Sequence, residues 1–130
     1  MLPLIILTGP TGSGKSETAL ALARKLDTDI ISADSLQVYK YFDIGTAKPS
    51  LAVREEISHH LVDILEPHEE FNAFGFKTRA LEVIIKLMKQ GKIPILVGGT
   101  GLYIKVLTED YDCAEAVSYT HLTLPTNREV

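Results

Sequence analysis

An α/β fold, a mainly parallel sheet with helices on its faces, is what this chain predicts, and three observations carry that prediction. Short β-branched apolar runs alternate with stretches of helical periodicity at spacings that suit βαβ units. Glycine-rich loops follow two of those runs, at residues 9–16 and 98–101. The third observation is size: 130 residues, 45% hydrophobic and 23% charged, suit one globular domain with one core.

The elements follow in order. Leu4-Ile5-Ile6-Leu7-Thr8 is a buried strand that runs into Gly9-Pro10-Thr11-Gly12-Ser13-Gly14-Lys15-Ser16, which fits G-x-x-x-x-G-K-[ST] at every position. A helix then starts at Glu17, with Ala19, Leu22, Ala23 and Leu26 at three- and four-residue spacing. Strand, glycine loop and helix in this order turn backbone N–H groups toward one point, where the positive end of the helix adds its field. A phosphate or diphosphate belongs there. Gly12 and Gly14 allow close approach, Lys15 supplies a point charge, and the Ser16 hydroxyl is a candidate ligand for Mg²⁺.

Residues 29–34 read as a second buried strand, which leaves Asp34 at its carboxyl end. Ligands of open α/β sheets bind at that edge, so Asp34 and the phosphate loop are expected to face one crevice. Residues 35–50 predict a short helix and then a loop, with a boundary at Lys48-Pro49. A helix over 51–58 and a third strand over 60–65 come next. His59, His60 and His68 do not add up to a metal site, which needs about four converging ligands. Asn72 caps a long helix that runs to Gln90 and stops at Gly91, with Phe74, Leu81, Ile85 and Met88 as its core stripe. Lys77, Arg79, Lys86, Lys89 and Lys92 give this region a basic bias that reads as a solvated helix face rather than an RNA footprint, since their spacing does not place them all on one stripe. Residues 93–97 are a strand whose proline sits near its start, and 102–107 resume a helical pattern. Between them Thr100 can cap the last helix, contact a ligand, or do both.

Composition limits the function classes. A net charge of -4 argues against broad adhesion to nucleic acid, though local phosphate contacts remain open. No apolar run approaches bilayer length and no secretory leader is recognisable, so a cytoplasmic protein without a membrane partner is expected. Cys113, the single cysteine, reads as a thiol in a reducing compartment.

Four segments together carry a resemblance: residues 9–16; Ile31-Ser32-Ala33-Asp34-Ser35-Leu36-Gln37-Val38-Tyr39-Lys40; Asp43-Ile44-Gly45-Thr46-Ala47-Lys48-Pro49; and Pro94-Ile95-Leu96-Val97-Gly98-Gly99-Thr100-Gly101-Leu102-Tyr103. They resemble the amino-terminal part of the bacterial tRNA dimethylallyltransferase, or tRNA isopentenyltransferase, family over residues 2–112. The resemblance implies a P-loop NTPase-like core, incomplete at its carboxyl end, in a chain that is inactive as a fragment and monomeric at full length. It implies transfer of a dimethylallyl group from dimethylallyl diphosphate to the N6 amine of the adenosine beside the tRNA anticodon, with Mg²⁺ required. By the same resemblance Gly9, Pro10, Thr11, Gly12, Ser13, Gly14, Lys15 and Ser16 hold the diphosphate. Asp34 is the catalytic base, aided by Lys15 and Thr100, and the anticodon arm meets Asp34, Ser35, Leu36, Gln37 and Thr100.

Asp34 keeps two other readings, a strand-end cap and an Mg²⁺ ligand. Two other functions also fit the loop: a small P-loop kinase acting on a metabolite, and a nucleotide-binding fragment without chemistry. Residues 113–130 stand apart from the core. Ser118-Tyr119-Thr120-His121-Leu122-Thr123-Leu124-Pro125 continues no preceding pattern and reads as a poorly ordered, adapter-derived tail, an edge strand being the alternative.

Overall fold

The computed structural model describes residues 4–8, 14–41, 48–99, 101–110 and 116–120. Its elements are β1 (Leu4–Thr8), α1 (Lys15–Leu26), β2 (Ile30–Ser32), α2 (Leu51–Glu56), β3 (His59–His60), α3 (Ala73–Lys89), β4 (Ile95–Gly98), α4 (Gly101–Asp110) and β5 (Ala116–Thr120). The strands form one parallel sheet in the order β3-β2-β4-β1-β5. Because β4 lies between β1 and β2, the carboxyl ends of all three come out side by side: Thr8 is level with Gly98, and Ser32 with Val97.

Alternation along β1 divides the core into two layers. Leu4 and Ile6 join Ile31, Leu96, Phe76, Ile84 and Leu107 on the face covered by α3 and α4. Ile5 and Leu7 join Ile30, Ile95, Ala19 and Ala23 on the face covered by α1. The periodicity of α1 holds, with Ala19 and Ala23 buried and Leu22 and Leu26 packed at the margin.

In α3 the cap is as expected: the Asn72 side chain accepts from the Gly75 N–H at 2.9 Å, and Gly91 follows at φ 78°. The buried stripe differs from the expected one. It is Phe76, Ala80, Ile84 and Leu87, while Phe74 and Ile85 are exposed and Leu81 and Met88 only flank the core. The helix is apolar over a wide arc, and the choice of row falls to its neighbour α4. Tyr103 stacks on Phe76 with ring centroids 4.8 Å apart.

Two further expectations are corrected. The third strand is two residues long, at His59–His60, where the sequence predicts 60–65. Leu61 at φ 67° and Asp63 at φ 58° are left-handed, which ends the strand and turns the chain back toward Tyr39. The short helix expected after Asp34 is instead a series of turns over 35–41, with residues 42–47 outside the described part. Residues 116–120, set apart in the sequence with the rest of 113–130, form β5 in parallel register with β1.

Candidate active site

The first side of the site comes from the sheet edge. Beyond β2, the Ala33 N–H still donates to the Val97 carbonyl at 2.7 Å, so Asp34 emerges beside the end of β4. Glycine at position 98 is what permits this approach. A Cβ there would lie 2.2 Å from the Ala33 carbonyl oxygen, far inside van der Waals contact. On the neighbouring strand, β1 leads through the phosphate-loop motif to Gly14, whose φ of 86° starts α1 with no side-chain cap. A glycine supplies no side-chain cap to the first turn of α1, and a helix start of this kind suits an anion.

Asp34 itself is held locally. The backbone N–H groups of Leu36 and Gln37 donate to its Oδ1 at 2.8 and 3.1 Å. The capping role left open in the sequence is thus filled by one carboxylate oxygen. Gln37 is oriented in turn, since Ser32 Oγ donates to its Oε1 at 3.0 Å.

A cavity of about 620 Å³ joins these parts: Gly14, Lys15 and Ser16 line it together with Asp34, Leu36 and Gln37. Leu20, Ile30, Val53 and Val97 give it an apolar stretch. One space therefore brings together the start of α1, a carboxylate and an apolar wall. Under the Asp34 turn lies Tyr103. Burial, with Tyr39 and Asp34 nearby, pushes its phenol above the ordinary value and keeps it neutral.

Among the cavity residues outside the candidates drawn from the sequence, Lys48 and His59 stand in polar contacts. Lys48, only 3% exposed in its side chain, donates from Nζ to Asp63 Oδ1 at 2.5 Å and to the Tyr39 carbonyl at 2.6 Å. Arg54 Nη1 reaches the other Asp63 oxygen at 2.7 Å, and its Nε donates to the Pro49 carbonyl. Burial works against an ionised Asp63, yet the hydrogen bonds and charges of Lys48 and Arg54 prevail and hold its carboxyl below the ordinary range. His59 Nδ1 lies 2.8 Å from the Ile57 carbonyl, which can only accept, so Nδ1 carries the proton and Nε2 is the acceptor in the neutral ring. Burial lowers its pKa from the ordinary histidine value. The one signal for Lys48 in the sequence was its place before Pro49 in a distinctive run. Its partner Asp63 is fifteen residues away, a pairing that no local pattern announces.

Of the residues expected at the site, Gly14, Lys15, Ser16, Asp34, Leu36 and Gln37 line the cavity, and Ser35 is half-buried beside them. Gly9, Pro10, Thr11, Gly12, Ser13 and Thr100 lie outside the described residues.

Comparison with known proteins fits this geometry. A family model described as IPP transferase matches residues 37–128, and one described as isopentenyl transferase matches residues 2–66. The chain belongs to the IPP transferase family. The IPP transferase match continues past residue 112 into the stretch set apart in the sequence. Among individual relatives, a tRNA dimethylallyltransferase of Syntrophobacter fumaroxidans is 52% identical over 115 residues, covering 88% of this chain and 33% of that protein. The solved structure of a tRNA isopentenylpyrophosphate transferase from Staphylococcus epidermidis is 48% identical with a TM-score of 0.78, covering 82% of this chain and 35% of that one. Its Bacillus halodurans counterpart is 39% identical with a TM-score of 0.80, covering 86% and 37%. This IPP transferase chain has the P-loop NTPase-like fold of these structures and spans about a third of the length of its curated relatives.

Proposed function

We propose that the protein carrying this chain transfers a dimethylallyl group from dimethylallyl diphosphate to the N6 amine of the adenosine next to the tRNA anticodon. The observation that carries this reading is the shared cavity, in which Asp34 and the start of α1 line one space. The phosphate loop, residues 9–16, holds the diphosphate, with Lys15 countering its charge. The apolar stretch with Leu20, Ile30 and Val53 suits the allyl group.

The adenine must leave its stack to reach the cavity. As its N6 lone pair forms the new bond to the allylic carbon, the carbon–oxygen bond breaks and its electron pair leaves with the diphosphate. Donors arranged beforehand around the leaving group stabilise that growing charge. Asp34 accepts the proton released by the amine. Ser35, Leu36 and Gln37 contact the target nucleotide, and Thr100 acts from the second glycine loop. The hydroxyl of Ser16 and the carboxylates of Asp34 and Glu17 line the same space and are the hard oxygen donors that Mg²⁺ prefers. When bound, the ion supplies further positive charge to the leaving group, with Ser16 as its ligand in the motif. We place the reaction in the cytoplasm and the whole protein as a monomer; no described helix is long and apolar enough to cross a membrane.

The test is a chimera in which residues 2–112 replace the matching third of the Staphylococcus epidermidis enzyme. Asp34→Ala in that chimera should leave tRNA binding largely intact and cut turnover roughly 10² to 10⁴-fold, the usual span for a general base. Unchanged turnover removes Asp34 from the chemistry. Phosphate transfer from ATP to a metabolite, with no mass gain on tRNA, would replace the reading with that of a kinase.

A further inference from the structure

The run Asp43-Ile44-Gly45-Thr46-Ala47-Lys48-Pro49 has no role in the mechanism above, although its lysine lies on the cavity wall. Lysine is among the residues least often buried, and one that is 3% exposed needs strong partners. Two of its partners among the described residues belong to different segments. The Tyr39 carbonyl lies five residues beyond Asp34 on the segment that follows it, and the Asp63 carboxylate lies on the left-handed turn after β3.

Those two segments are also joined by main chain. Asp63 N–H donates to the Gln37 carbonyl, Ile64 and Leu65 N–H to Val38, and Lys40 N–H to Leu65. The short bridged ladder therefore runs from Gln37 to Lys40, immediately after the two amides that hold Asp34 Oδ1. An ammonium fixed at both sides of that ladder sets where Leu36 and Gln37 sit over the cavity. Arg54 completes the arrangement from α2, and because it keeps Asp63 paired, loss of Lys48 alone does not leave a buried carboxylate without a cation.

We propose that Lys48 is a positioning residue for the segment that meets the target nucleotide, acting by clamping the Tyr39 carbonyl to the Asp63 carboxylate. This rests on the reading of residues 35–37 given above, and the experiment separates the two. In this chain as it stands, Lys48→Met should speed amide exchange at Lys40, Asp63, Ile64 and Leu65 by about tenfold or more, with the amides of β1 and β4 unchanged. Lys48→Arg, which keeps the charge, should restore most of the protection. Unaltered exchange in the methionine variant overturns the clamp, and so does equal loosening of the whole sheet.

In the Staphylococcus epidermidis chimera, Lys48→Met should raise the KM for tRNA by about tenfold while the KM for dimethylallyl diphosphate stays within about twofold. A residue that merely supported the fold would move both. Parallel rises in both KM values, or no rescue by arginine, would defeat the positioning role. If the unmutated chimera transfers nothing, the proposed function fails on its own, and the exchange measurement still decides whether the clamp exists.

Discussion

The cavity has two flanks, and they are built by different physics. Along one, the ends of β1, β4 and β2 are set by a parallel ladder and an apolar core, down to the contact of Gly98 with Ala33. Along the other, residues 35–41 and 48–65 contain a single two-residue strand and three left-handed residues, Tyr41, Leu61 and Asp63, held by ion pairs and side-chain bonds to backbone carbonyls. Left-handed backbone at a bulky residue such as Leu61 persists only where its surroundings over-determine it. The first flank is therefore robust to loss of any one polar group, and the second depends on a few.

The sharpest way to break that contrast is Asp63→Ala. Lys48 and Arg54 both then lose the carboxylate between them, a change expected to cost about 3 kcal/mol, the low end for breaking a buried pair because Asp63 is 29% exposed. A urea midpoint measured on wild type and variant gives the number. An effect no larger than that of an exposed pair would mean that water replaces the carboxylate easily and that the polar flank is not held by this cluster.

The sheet flank should yield to a different change. Gly98→Ala places a Cβ against the Ala33 carbonyl, and the cost of overpacking there should be about 2 kcal/mol, carried by a shift of β2 away from β4. Protection should fall across β1, β2 and β4 together, as expected for a fault in the ladder, while the Lys48 ion pair survives. Wild-type stability in this variant would show that β2 can move aside without strain, and position 98 would then have no hold on Asp34.

The same division explains what could be read from the residues alone. Apolar runs, the G-x-x-x-x-G-K-[ST] loop and the α1 periodicity are local patterns, and they placed β1, α1, β2 and β4 and put Asp34 on the same rim as Lys15. The α3 stripe was misplaced by one or two positions, because helical periodicity at 74–88 offers more than one apolar row and only packing against Tyr103 selects Phe76. The strand expected over 60–65 failed for a sharper reason. Its apolar residues satisfy the pattern, but Asp63 turns the backbone left-handed and answers to Lys48 and Arg54, which are remote in sequence. Polar clamps of this sort leave no period to detect.

The smallest effect expected is a pH slope from His59, which lies on the cavity wall where the two flanks meet. Burial is the main reason its pKa is lowered. Arg54 and His60 push the same way, while the bond to the Ile57 carbonyl and the charge of Asp29 oppose. The unfolded chain then binds a proton to this ring more readily than the folded one, so protonation favours unfolding. The contribution is fully present above the ordinary histidine pKa of about 6.5 and is lost as pH falls from there through the lower folded value. His59→Asn, which retains a donor for Ile57 but does not titrate, should flatten the stability profile between about pH 7.5 and pH 5 relative to wild type. A flatter profile ties the weak acid sensitivity of the polar flank to one buried ring. An identical slope would mean that burial of this ring makes no contribution to the acid sensitivity of the polar flank.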